Sequence, residues 1–287
     1  VALVTGATSG IGFQIALGLA RFGATVTLGA RSEARGQQAV GRILSEVPEA
    51  EAGFLTADLA TYDKVRSFAA DFMDRRPVLH VLVNNVGGYF MQRRLTDDGQ
   101  EMTFALNHLS HFLLTRLLLD RLIAAAPSRV VNVSSAAHYD GIMRFEDLGH
   151  RRGYRFGLAP YAQSKLANVL FTKELARRLS GTGVTANAVH PGLVRTGLST
   201  KNTPWPVRPF AALAVAFMAI SEVEGASGPL WLASSPELDG VSGEYFNLKR
   251  RVRSSAASND HVAARRLWEV SEQLTGLSPT PKPSGSD

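Results

Sequence analysis

The sequence predicts a doubly wound α/β fold, a parallel seven-stranded sheet flanked by helices on both faces. Three observations carry this. Short β-branched runs recur at 1–5, 24–30, 53–57, 78–84, 129–134, 184–190 and 244–248. Amphipathic stretches such as 11–22, 62–75, 99–124 and 161–179 stand between them, and strands alternating with helices of ten or more residues imply βαβ units. Several runs are apolar nearly throughout, as in VLHVLV at 78–83, which suits strands covered on both faces.

Taken in order, the first strand, VALVT, enters a glycine-bearing turn and then the helix 11–22, which Gly23 closes as a C-terminal cap. The third strand ends in Ala57-Asp58-Leu59, and the fourth in Asn84-Asn85-Val86-Gly87. The long helix 99–124 follows, carrying Asn107 amid apolar residues, and the fifth strand ends in VVNVSS. The helix 161–179 opens on Tyr161-Ala-Gln-Ser-Lys165 and is followed by Gly183 as a second cap; Pro191 then breaks the sixth strand. At 287 residues and 45% apolar content, a single domain over 1–277 is the economical reading. Within it, 193–220, rich in Trp, Phe, Leu and Pro, reads as a lid, and 278–287 (SPTPKPSGSD) as a disordered tail.

Composition removes several classes of function. The chain has no cysteine, which excludes a disulfide scaffold, a thiolate nucleophile and sulfur-based zinc sites, and its histidines form no metal constellation. The net charge of +6 comes from 25 arginines and 6 lysines scattered in pairs, without the block expected of a nucleic-acid arm. The longest charge-free apolar stretch, 210–220, falls short of the ~18 residues of a membrane span. The first residues show no basic segment followed by an apolar run, although the sequence opens at Val1 inside a strand with upstream residues absent. A cytoplasmic location is the expectation.

The turn TGATSGIG at 5–12 joins a strand to a helix, the context of a dinucleotide site. Gly6 permits the tight turn, and Gly10 and Gly12 allow close approach of a pyrophosphate at a helix N-terminus, in a Rossmann-type arrangement. The blander reading is a tight βα turn without a ligand. At the end of the second strand, where a carboxylate would accept the ribose of NAD, stand Ala30 and Arg31, with Arg35 one helical turn on. Guanidinium groups favour a 2′-phosphate, so the cofactor expected is NADP(H), unless both arginines merely face solvent. Asp58 either holds the adenine or caps the next helix.

Four polar residues, Asn107, Ser135, Tyr161 and Lys165, fall at strand ends or on the helices beside them, where ligands of open α/β sheets bind. Reduction of a carbonyl needs a hydride donor, an acid for the forming alkoxide, and donors to hold its charge. A phenol with pKa near 10 is a poor acid–base catalyst at neutral pH. Lys165, four residues after Tyr161 on one helical face, would lower it by favouring phenolate. Taken singly, each residue has a structural reading. Ser135 would cap its loop, a role Ser134 fills equally well, and Asn107 would bond backbone in a buried helix. Tyr161 and Lys165 would open an ordinary amphipathic helix. His108, His111, His138 and Tyr139 read as structural.

Together TGATSGIG, NNVG, a helical Asn, NVSS, YxxxK and HPG at 190–192 resemble the short-chain dehydrogenase/reductase family, in order from Val1 to about Leu248. NVSSAAH at 132–138, YAQSKLANVLFTKELARRL at 161–179 and GTGVTANAVHPGLVRT at 181–196 are similar to its retinol-dehydrogenase-like branch, as is the long gap between Ser135 and Tyr161. Val86 departs from the family's usual alanine. The resemblance implies that Tyr161 is the proton donor in reduction, Ser135 a partner of the substrate oxygen, and Lys165 a partner of the nicotinamide ribose. It implies that Asn107 places a water linking the lysine to solvent. Cofactor contacts are implied at Gly6, Thr8, Ser9, Gly10, Ile11 and Gly12, and at Arg31, Arg35, Asp58 and Leu59. Further contacts are implied at Asn85, Gly87, Tyr161 and Lys165, and at Pro191, Gly192, Val194 and Thr196. The reaction expected is interconversion of a ketone or aldehyde with an alcohol on a lipophilic substrate, in a chain capable of homo-oligomer formation through its helices. The alternatives are a catalytically silent NADP-sensing regulator, against which the complete set of four stands, and an NADP-dependent epimerase or dehydratase, which the Gly-x3-Gly-x-Gly spacing disfavours.

Overall fold

The computed structural model describes residues 1–193 and 220–279. Its strands are β1 (Ala2–Val4), β2 (Val26–Ala30), β3 (Ala52–Thr56), β4 (Val81–Asn84), β5 (Ser128–Val133), β6 (Val184–His190), β7 (Tyr245–Asn247) and β8 (Arg250–Arg251). They lie in one sheet in the order β3-β2-β1-β4-β5-β6-β7-β8. The first seven are parallel, as the alternation predicts, and β8 pairs antiparallel with β7. A two-residue arginine strand has no periodicity to betray it. Strand order reverses between β1 and β4, and the crevice at their C-terminal ends is where open α/β sheets take ligands.

Helices α1 (Gly10–Arg21), α2 (Glu33–Glu46) and α7 (Glu222–Ser234) cover one face. Helices α3 (Tyr62–Arg75), α4 (Ser110–Leu117), α5 (Leu119–Ala124), α6 (Leu158–Arg178) and α8 (His261–Thr275) cover the other. Successive strand residues divide between the faces: Ala2 and Val4 join the core under α1, while Leu3 joins Phe68, Phe112, Phe171 and Trp268 on the opposite side.

Two helix boundaries differ from the periodicity. The stretch 99–124 is not one helix. Gly99 sits in a loop at φ +75°, and Glu101 accepts the N–H groups of Thr103 and Phe104. After the helical turn Met102–Phe104, residues Ala105–Leu109 form a π-helical segment centred on Asn107 before α4 begins. Widened turns of this kind concentrate at functional sites. Helix α6 starts at Leu158, ahead of Tyr161, from a left-handed Gly157, and it ends at Arg178. Gly183 is therefore not its cap; at φ +79° it turns the chain into β6. Gly23 does follow α1 in the left-handed region, its N–H bonded to the Ala20 carbonyl.

Polar groups buried beside the sheet fix these helices. The Asn84 amide donates to Asn132 (2.8 Å) and to Thr115 on α4 (2.9 Å), and Asn132 donates to Thr172 on α6 (2.9 Å). His108 and His111, which flank Asn107, are fully buried structural residues. His111 Nε2 donates to the Val86 carbonyl (2.7 Å). His108 Nε2 donates to Ser271 Oγ (2.9 Å), whose own proton goes to Leu267. Burial lowers both to about 3, with the Lys165 charge adding to the effect on His111.

A histidine held neutral in the fold contributes stability that is complete above its unfolded pKa near 6.5 and is lost as pH falls toward the folded value. Between pH 7 and pH 5 one such group loses about 2 kcal/mol. His111→Gln keeps a donor for Val86 without a titrating ring, so urea unfolding of this variant should lose about 2 kcal/mol less than the wild type over that interval; equal losses would show that His111 is not held neutral.

Candidate active site

The site begins where β1 and β4 end side by side. Thr5 Oγ1 accepts the N–H groups of Asn85 and Val86, both at 3.0 Å, and donates to Val83. The Asn85 side-chain amide donates back to the carbonyls of Thr5 (2.8 Å) and Gly6 (3.3 Å). Gly6 and Gly10 have φ of +64° and +61°, accessible to glycine at little cost. At Gly12 a Cβ would stand 2.4 Å from the Gly6 carbonyl oxygen and 2.5 Å from Asn85 Nδ2. Its lack of a side chain thus lets α1 seat on its own turn.

The end of α1 facing this crevice is open. Ser9 occupies the N-cap without a side-chain capping bond, and no acidic residue stands in the first turn. Uncapped N–H groups and the helix dipole favour an anion there, beside Thr8 and the half-buried Ile11. Arg31 and Arg35 are exposed beyond the end of β2. Asp58 caps no helix: its carboxylate accepts the Ala60 N–H (3.1 Å), and Thr61 is the N-cap of α3. Leu59 is buried in the core.

Beyond β4 the chain turns tightly across the π-helical segment. A Cβ on Gly87 would stand 3.1 Å from Asn107 Oδ1 and 3.6 Å from Lys165 Nζ. Asn107 donates to the Gly88 carbonyl (3.0 Å) and to Ser164 Oγ (2.9 Å), and its oxygen accepts the Gly88 N–H (2.7 Å). Both amide protons are engaged, so the side chain clamps the β4 loop to α6. This is the structural reading the sequence left open for Asn107.

At the end of β5 the two serines divide their roles. Ser134 is buried and donates to the Lys165 carbonyl (2.9 Å). Ser135 heads the 3-10 turn Ala136–Asp140, its Oγ accepting the Ala137 N–H (3.2 Å). Burial raises the Tyr161 phenol above its usual 10, partly offset by the influence of the Ser135 side chain. Lys165 lies one turn along α6, 5% exposed, and burial lowers it to about 8. Its Nζ donates to the Val133 carbonyl (3.1 Å) and stands 5.7 Å from the Tyr161 ring centroid.

The expected lowering of the phenol by its lysine is therefore corrected. The ammonium is bonded to the strand end, and desolvation governs the phenol. Spacing also gave no sign of Tyr89, whose ring meets that of Tyr161 edge-on at 5.6 Å while its hydroxyl donates to the Phe156 carbonyl (2.7 Å). An aromatic residue two places beyond Gly87 was the available signal. Pro191 and Gly192 follow β6 in position, Gly192 at φ +82° against Ile220. Val194, Thr196, most of the expected lid at 193–220, and residues 280–287 of the expected tail lie outside the described residues.

A doubly wound sheet with an anion-accepting glycine turn beside a Ser–Tyr–Lys group defines a dinucleotide-type oxidoreductase scaffold. The sequence profile described as "short chain dehydrogenase" matches residues 1–206, and the chain belongs to the short-chain dehydrogenase family. It is 43% identical to human retinol dehydrogenase 14, covering 96% of this chain and 86% of that one. It is 41% identical to human retinol dehydrogenase 12 with the same coverage. Among solved structures, an uncharacterised protein from Mycobacterium Paratuberculosis superposes with a TM-score of 0.76 at 34% identity, covering 96% of this chain and 93% of that one. An actinorhodin polyketide ketoreductase solved with NADPH gives 0.67 at 28% identity, covering 86% and 94%. The chain is thus an oxidoreductase related to the retinol dehydrogenases.

Thr5→Val should remove the acceptor of two N–H groups at the strand reversal and cost about 3 kcal/mol, read as a lower urea midpoint, whereas Thr5→Ser should retain most of the stability. Equal loss in both would shift the cause from the hydroxyl to packing.

Proposed function

We propose that this protein reduces a ketone or aldehyde to an alcohol, and reverses the reaction, on a lipophilic substrate of retinoid-like character with NADP(H). The observation that carries the reading is the placement of Tyr161 on α6 with the buried Lys165 one turn on, its Nζ 5.7 Å from the phenol ring centroid and bonded to the Val133 carbonyl two residues before Ser135, beside the glycine turn. The names of the relatives support the reaction and substrate class.

The residues present fit a pyridine dinucleotide. The uncapped start of α1, reached through the left-handed Gly6 and Gly10, suits the pyrophosphate. The exposed Arg31 and Arg35 suit a 2′-phosphate, and Asp58 and Leu59, just past β3, would stand on the adenine side. Tyr161 and Lys165 would hold the nicotinamide ribose, with Asn85 and Gly87 shaping the floor. When bound, the nicotinamide supplies or accepts the hydride.

The chain's own part is to manage the proton. A phenol held above its usual pKa is protonated at neutral pH, so reduction finds its acid in place. Ser135 Oγ already accepts from Ala137, which leaves its proton to be directed at an oxygen in the cleft. Lys165, lowered to about 8, gains by donating new hydrogen bonds that stabilise its charge. Exposed Tyr139, Ile142, Phe156, Leu158 and Leu193, on segments that leave or enter these elements, favour an apolar substrate.

The test is a panel of lipophilic aldehydes and ketones, all-trans-retinal among them, followed by NADPH absorbance. Tyr161→Phe should lower turnover by about 10²-fold or more while NADPH still binds; a near-normal rate would remove the phenol from the chemistry. Arg31→Asp should shift the NADPH-to-NADH preference toward NADH, and an unchanged ratio would count against the proposed 2′-phosphate contact.

A further inference from the structure

We infer that His138 is a positioning residue for Ser135, and that through it the segment after β8 braces the active-site serine. The inference rests on the role proposed above for Ser135.

His138 is completely buried, its ring centroid 4.1 Å from that of Tyr139 and 4.4 Å from that of Tyr245. Its Nδ1 lies 2.8 Å from the Ser135 carbonyl oxygen, and its Nε2 lies 3.1 Å from the backbone nitrogen of Ser255. A backbone carbonyl only accepts and a backbone N–H only donates. The proton is therefore on Nδ1, and Nε2 is the acceptor. This tautomer is set from outside the serine loop, by a residue 117 positions further along the chain.

The consequence falls on Ser135. Its carbonyl accepts both the ring N–H and the backbone N–H of His138 (3.1 Å), while its Oγ accepts from Ala137. With carbonyl and hydroxyl both held, the backbone that carries Oγ toward Tyr161 has little freedom. The brace is itself anchored. Tyr139 donates to the Arg253 carbonyl, and the Ser255 carbonyl accepts from Ser258 Oγ and Asn259 Nδ2. A histidine that only filled space would need neither polar contact.

Two replacements separate the ring nitrogens. His138→Asn keeps a donor near Nδ1 and loses the acceptor for Ser255, whereas His138→Gln keeps an acceptor near Nε2 and loses the donor to Ser135. Using the carbonyl compound that the wild type reduces fastest with NADPH, His138→Gln should lower kcat at least tenfold with KM for NADPH unchanged. His138→Asn should stay within threefold of wild type, although both lose similar stability. Ser255→Pro offers an independent arm, because Ser255 has φ −58°, which suits proline, and the substitution removes the N–H that fixes the tautomer. It should lower kcat about fivefold, and it decides the matter if the Gln variant does not fold.

Nitrogen NMR of the wild-type ring should show a protonated Nδ1. A protonated Nε2, or kcat values that follow stability equally in the Asn and Gln variants, would overturn the inference. Ser135→Ala serves as the control. If it is inactive while His138→Gln and Ser255→Pro turn over normally, only this inference fails; if Ser135→Ala itself is fully active, the reading of the site fails and takes the inference with it.

Discussion

The site depends on the double stitch between Thr5 and Asn85. A parallel sheet that reverses its strand order leaves two strands diverging into loops on opposite faces, and without a cross-link their ends would splay. Here one hydroxyl accepts two N–H groups of the β4 loop while one amide donates to two carbonyls of the β1 turn. The crevice keeps a fixed width before any ligand arrives. Gly12 completes the arrangement, since any side chain there would lift α1 off the turn and misdirect its N-terminus.

The other half of the site is governed by desolvation. Lys165 lies on a helix buried along most of its length, and holding its charge there at pH values below about 8 costs on the order of 3 kcal/mol relative to water. The ammonium keeps one partner there, the Val133 carbonyl that accepts its hydrogen bond. Tyr161 shares the same dry surroundings, and the two groups move in opposite directions from their usual pKa values because burial penalises phenolate and ammonium alike.

Much of this was legible in the residues. The alternation of β-branched runs with amphipathic stretches located all seven parallel strands, because strands sandwiched between helices must be apolar on both sides. The glycine turn and the YxxxK helix declared themselves through spacing. What spacing does not encode is which partner a polar side chain chooses in three dimensions. The clamp that Asn107 makes between the β4 loop and α6, and the seat that Gly12 gives α1, were therefore not legible. The phenol's pKa was read from its sequence neighbour when burial decides it. The π-helical break was hidden because 99–124 keeps its apolar content through the widened turn.

The antiparallel β8 bears on how this sheet ends. A parallel sheet that stopped at β7 would present a row of unpaired amides and carbonyls, a template on which an unfolded neighbour could grow. Arg250 and Arg251 cover that row with a strand only two residues long, both side chains exposed and cationic. Whatever approaches this border meets charge and an abrupt stop instead of an open ladder, which guards against runaway strand addition at the cost of hardly any extra chain.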